Sequence, residues 1–132
     1  MRLVVVTPER QLLDVSVEEV YAPGIAGQFG VLPKHVSFLT ALVPGEVRYR
    51  EAGVDHYLAI GGGICEVVDD VVTILADSAE AATDIDVARA VAAEKQALER
   101  LTQLPTGSLE YDAERAAAER AAARRQVATR AR

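Results

Sequence analysis

The apolar pattern of this 132-residue chain changes period once, near Asp77, and that change limits the folds open to it. From Leu3 to Asp77, apolar and polar residues alternate in short runs: "LVVVT", "LLDVSVEEVYA", "FLTAL", "EVRYRE", "VDHYLAI", "ICEVV" and "VVTILAD". In "EVRYRE", Val47 and Tyr49 share one face and Arg48 and Arg50 the other, as a half-buried strand requires. The turns at "EAGV" and "VDDV" are short enough to close hairpins. Brief strands at this spacing predict a sandwich or flattened barrel. With 50% apolar residues, 5% aromatic and no Trp, the core must be made of Val, Ile, Leu and Ala.

After Asp77 the repeat becomes helical. In "DIDVARAVAAEKQALERLTQL", Val87, Val91, Leu98 and Leu101 form a stripe widened by Ala90, Ala97 and Leu104. Asp84 or Asp86 can cap its first turn. Pro105 and Gly107 end it, and a second helix is expected over roughly Tyr111 to Thr129. The first helix has Val and Leu to bury, whereas the second offers mainly alanines. Alanine favours the helix intrinsically but gains little on burial, so shallow, detachable docking is expected, with an ordinary surface helix as the alternative. The division is a β domain at 1–83 and a helical hairpin at 84–132.

Charge follows the same division. The first 109 residues carry 8 Lys and Arg against 16 Asp and Glu, and the remainder carries 6 Arg against 4 acids. An acidic body argues against nucleic-acid binding, and a basic tail points to an acidic partner. No run approaches the roughly 20 apolar residues that span a bilayer. The start "MRLVVVTPERQ" is too short in apolar residues for a signal segment. The lone Cys65, in a strand pattern, reads as a buried, inert thiol in a reducing compartment.

Catalytic patterns are sparse. His35 and His56 have no partner at metal-ligand spacing. "AIGGGICEVV" lacks the Lys and Ser/Thr of a phosphate loop and is followed by a strand, so its glycines mark a bulge or the close passage of another backbone. The acid pairs Glu18-Glu19 and Asp69-Asp70 read as strand-face and turn residues. "GQFGVLPKHVSFLTALVPGEV", with its glycines, prolines and His35, leaves catalysis, recognition and tight turns open.

One resemblance narrows that choice. Gly27, Gly30, Pro33, His35, Leu39, Thr40, Leu42, Pro44 and Gly45 match a G-x-x-G-[apolar]-x-P-x-H-x-x-x-[LI]-[TS]-x-[LI]-x-P-G pattern. Together with "AIGGGICEVVDDVVTILAD" and the helix opening "DIDVARA", it resembles the epsilon-subunit family of bacterial F-type ATP synthases, over about Leu3 to Arg125. The resemblance implies a sandwich of about ten strands followed by a two-helix antiparallel hairpin, in a non-catalytic rotor subunit. Its implied partners are the gamma subunit, the membrane c-ring and, when the hairpin extends, the catalytic alpha and beta subunits. No nucleic acid is implied. Membrane association would come only through the complex, on the cytoplasmic side of the bacterial plasma membrane.

The resemblance also implies residue roles. Gln28, Phe29, Val31, Leu32 and His35 fall on the ring-facing edge, although the family often has an acid where Gln28 stands. Arg115, Arg120, Arg124 and Arg125, with Arg130 and Arg132, would form an inhibitory basic arm that meets acidic loops of the catalytic head. An "I-D-x-x-R-A" motif, Ile85, Asp86, Arg89 and Ala90, together with Glu80, Arg120 and Arg124, corresponds to an ATP-binding set in some members. Gln96 replaces a further arginine of that set. No cofactor is required, with ATP as a regulatory ligand. Two other classes stay open: a free-standing ATP-sensing domain, and a small β-barrel enzyme using His35 or His56.

Overall fold

The computed structural model describes residues 1–131, so Arg132 of the basic arm lies outside the described residues. Eight strands run as β1 (Arg2–Val6), β2 (Gln11–Ser16), β3 (Glu19–Gly24), β4 (Gly27–Val31), β5 (Phe38–Glu51), β6 (Val54–Val68), β7 (Val71–Ala76) and β8 (Ala79–Ala81). They pair in the order β2-β1-β7-β6-β5-β3-β4, with β8 added to β6. Eight is fewer than the expected ten or so. The reason is that β5 and β6 are 14 and 15 residues long and pass through both layers of the sandwich without breaking.

Where these two strands cross between layers, "PG" and "GGG" let them bend. One layer is β2, β1, β7 and the halves of β6 and β5 paired through Gly63↔Leu42 to Val67↔Phe38. The other is β4, β3, the remaining halves of β5 and β6, and β8. At the bend Gly62 and Gly63 have φ of 98° and 143°. A Cβ on Gly63 would run into the Leu75 carbonyl oxygen, so the third glycine is required by a passing backbone and not by a phosphate. Inward-facing Leu3, Val5, Val20, Val31, Val47, Val67, Val72 and Ile74 fill the space between layers. Cys65 joins them, and burial pushes its thiol up to about 12.

A single 3₁₀ turn, Ala82–Asp84, leads to helices α1 (Val87–Leu101) and α2 (Leu109–Ala128). Asp86 is the cap of α1, accepting the Arg89 amide at 3.1 Å, and Ser108 caps α2 through the Tyr111 amide at 3.1 Å. Gly107, at φ 87°, turns the chain between them. The expected packing is reversed in one respect. Val91 and Leu98 remain 46% and 51% exposed, and α1 buries Ala90 and Ala97 instead. It is α2 that lies along β5 and β6, while α1 reaches the sheet only at its base, where Ala90 shares a buried cluster with Ala59. The Ala-rich helix is thus the inner one, burying Ala118, Ala121, Ala123, Val127 and Ala128.

Candidate functional sites: a partner-facing edge and a helix seam

The segment from β4 to the start of β5 forms one end of the sandwich. Gln28 and Leu32 are exposed there, and Phe29 and His35 are half-buried. Phe29 meets Phe38 edge-on at 5.1 Å, and the His35 ring tilts over Phe38 at 5.6 Å. The His35 amide donates to the Leu32 carbonyl at 3.1 Å, and its Nδ1 lies 2.7 Å from the Val36 carbonyl, as a turn-forming histidine would. Val31 corrects the expectation. Strand alternation turns it inward opposite Val20, it has no exposed surface, and it supports the edge from beneath.

A second surface covers the outer face of the first layer. The register places Val6, Leu75, Ile64 and Ala41 in one row across four strands, with Leu39 in the next. Leu75, Ile64 and Leu39 are exposed, as is Ile25, whose amide bonds to the Ala41 carbonyl. A contiguous apolar row on an outer sheet face is the character of a docking surface.

The third place is the seam where α2 lies on the second layer. Register pairing aligns Glu46, Ala59 and Glu80 in one row under the helix. Ala59 packs with Ile85, Ala90, Val127 and Ala128, and the two carboxylates grip arginines on either side. Arg124 donates to both Glu80 oxygens, at 2.9 and 3.4 Å, and Arg130 to both Glu46 oxygens, at 3.0 and 3.3 Å. The Arg130 guanidinium also sits 5.0 Å over the Tyr57 ring. Arg125 binds Glu94 of α1 in the same two-pronged way, at 3.1 and 3.3 Å. Among the described residues Arg115 pairs only with Glu119 of its own helix, at 3.2 Å. Arg120 lies over Gly61, where a Cβ would stand 2.9 Å from its Cδ.

Glu80, Arg120 and Arg124 therefore do come together, around a cavity of about 50 Å³ also lined by Gly61 and Ser78. The "I-D-x-x-R-A" residues serve the hairpin base. Ile85 and Ala90 are buried in the seam, Asp86 is the cap, and Arg89 is exposed. Sequence reading missed Glu46, Glu94 and Gly61 as seam residues. Strand alternation does put Glu46 on the same face as Arg48 and Arg50, but nothing local says that a helix will cover it. His56 is half-buried and stacked 5.0 Å from the Tyr49 ring. Among the described residues no group of three or more His, Cys, Asp or Glu is placed to hold a metal.

Residues 1–82 match the family described as ATP synthase, Delta/Epsilon chain, beta-sandwich domain. The chain is 49% identical over 116 residues to the ATP synthase epsilon chain of Anaeromyxobacter sp. (strain Fw109-5), spanning 88% of each. It is 45% identical over 130 residues to the ATP synthase epsilon chain 2 of Syntrophotalea carbinolica, covering 98% of this chain and 94% of that one. Among solved structures, a chain of the Euglena gracilis mitochondrial ATP synthase OSCP/F1/c-ring assembly shares its fold, with a TM-score of 0.77 at 23% identity, over 89% of this chain and 74% of that one. With its sandwich and most of its length matched, the chain belongs to the ATP synthase delta/epsilon chain family, as an epsilon-type member.

Proposed function

We propose that this non-catalytic chain is a rotor subunit of a proton-translocating F-type ATP synthase, joining gamma to the c-ring and restraining ATP hydrolysis through its helical hairpin. The exposed apolar row of the first layer suits gamma, and the Gln28, Leu32 and His35 edge suits the polar loops of the ring. Among the described residues no helix is long and apolar enough to cross a membrane, so attachment to the cytoplasmic side of the plasma membrane would come through these partners.

The observation that carries the regulatory part is the seam. Arg124, Arg125 and Arg130 are engaged by Glu80, Glu94 and Glu46 in the docked hairpin. Undocking frees Arg124 and Arg130 together, as a basic face for acidic loops of the catalytic alpha and beta subunits. The test is ATP hydrolysis by a gamma-containing catalytic head, with full-length chain or chain truncated after Leu104. The expected result is that both bind and only the full-length chain suppresses turnover. Equal turnover with both bound would remove the inhibitory role.

A second reading is ATP as a regulatory ligand, whether in the complex or in a free-standing sensor. It is favoured by the meeting of Arg120, Arg124 and Ser78 at the seam cavity. The cavity is small, and Glu80 already occupies Arg124, so a phosphate would have to displace that carboxylate. Isothermal titration tests this, and no heat at millimolar MgATP would exclude it.

A further inference from the structure

The turn between β6 and β7 is built against its own backbone preference. Asp69 and Asp70 both lie in the left-handed region, at φ 50° and 66°, where Gly or Asn would be less strained. Asp70 makes contacts well beyond its hairpin. Its Oδ1 accepts the Lys34 backbone amide at 2.9 Å, its Oδ2 lies 3.5 Å from the Met1 amine, and its carbonyl accepts the Arg2 amide at 3.0 Å. Lys34 is itself at φ 66°, so one hydrogen bond joins two left-handed residues 36 positions apart. That amide is the main reason the Asp70 carboxyl is held below the usual carboxylate range.

Lys34 is central to the loop between β4 and β5. Leu32 and Val36, on either side of it, are 55% and 75% exposed. The other hydrogen bonds of residues 32–37 are internal, from the His35 amide to Leu32 and from the His35 ring to Val36. Among the described residues, the Lys34–Asp70 bond is the one that ties this segment to a different loop. The His35 to Leu32 bond closes the turn around Pro33 and Lys34 from within, but a lysine prefers the other side of the map, and the Asp70 bond is the tie that holds it from outside.

We propose that Asp70 is a positioning residue for the partner-facing loop: it holds Lys34 in its left-handed conformation so that Leu32 and Val36 are presented in one preset arrangement. The partner named here, the polar loops of the ring, rests on the function proposed above, whereas the loop positioning does not. A loop already ordered before contact loses less entropy on binding, so removing the tie should weaken association without touching any contact residue.

The experiment uses full-length chain with Asp70→Ala, Asp70→Asn and the control Asp69→Asn. The first readout is the Lys34 amide resonance and its hydrogen exchange. Asp70→Ala should shift the signal and speed exchange about tenfold, a loss of roughly one hydrogen bond's protection. Asp70→Asn keeps an acceptor and should restore most of it, and Asp69→Asn should leave it alone. In the wild type the same signal should move on acidification, as pH falls through the depressed Asp70 value, and should not do so in Asp70→Asn. The groups facing Asp70 are the Met1 amine and Lys34, with Asp69 and His35 next to them in their own loops. The second readout is binding of the chain, with gamma, to the c-ring, which Asp70→Ala should weaken about tenfold and Asp70→Asn much less.

An unmoved Lys34 signal in Asp70→Ala, or in the wild-type acid titration, overturns the positioning role, and the titration needs no variant to fold. Full ring binding by Asp70→Ala, where wild type binds, overturns it as well. If wild type does not bind the ring, the partner reading fails separately, and the Lys34 signal alone decides whether Asp70 sets the loop.

Discussion

The sandwich and the hairpin are both held by apolar packing, but of different grain. Between the two sheet layers, branched side chains are wholly enclosed. The helix seam is made mostly of alanine methyls with Val127 and Ile85, stitched by half-exposed Arg–Glu pairs. A buried Leu, Ile or Val contributes about 1.5 to 3 kcal/mol, and a methyl on the order of 0.8. No polar side chain is buried anywhere among the described residues, so lifting the hairpin leaves its arginines no worse solvated than before. The proposed release of the hairpin requires one part of the chain to stay folded while the other lets go.

The sharpest way to break that comparison is to delete wholly buried atoms from each part. Ile74→Ala, in the sandwich, should cost about 2 to 5 kcal/mol of global stability in urea unfolding. Val127→Ala, in the seam, should cost about 1.5 kcal/mol and fall mainly on the docking of the hairpin. Equal losses in the same cooperative transition would erase the distinction.

Next come two of the glycines with positive φ, chosen for their different settings. Gly63→Ala meets both an unfavourable φ and the Leu75 carbonyl, and should destabilise the sandwich by about 1 to 3 kcal/mol. Gly107→Ala, with open space around it, should show only the conformational cost of roughly 1 kcal/mol, confined to the hairpin turn.

Smaller effects are expected from the ion pairs of the seam. Glu46→Gln and Glu80→Gln should each loosen docking by about 0.2 to 1 kcal/mol, an effect that shrinks as salt is added. Acid should act on the sandwich through two paired carboxylates of its strands. The Arg50 hydrogen bond holds the Asp55 carboxyl below its ordinary value of 3.8, and Arg2 does the same for Asp14. A depressed carboxyl stabilises the fold above its unfolded value, and that contribution is lost as pH falls through the lower folded value. Stability should therefore decline below about pH 4, and Asp55→Asn should blunt the decline in pH-dependent unfolding.

How much of this was legible follows from the range of the forces. Strand alternation and the change of period near Asp77 are local, and they place Val47, Tyr49 and the helices correctly. The resemblance implied about ten strands where the structure has eight, because Pro44-Gly45 and Gly61 to Gly63 bend two long strands that keep their partners. The helix stripe was right for Ala90 and Ala97 and wrong for Val91 and Leu98, because apolarity alone does not say which part of a broad stripe the neighbouring helix will cover. The pairing of Glu46 with Arg130, across 84 positions, has no sequence signature at all. Asp69-Asp70 was visible as a turn, but not that Asp70 reaches Lys34.

The most direct test of a firm sandwich with a releasable hairpin is a distance measurement between labels at Val54→Cys and Gln126→Cys, both exposed positions. Cys65, buried and with its thiol pushed up to about 12, should stay unlabelled in the folded chain. A single short distance at low salt, joined at high salt by a second, longer population while the β signal is unchanged, is the predicted result. One distance at every salt concentration, lost only when the sandwich itself unfolds, would contradict it.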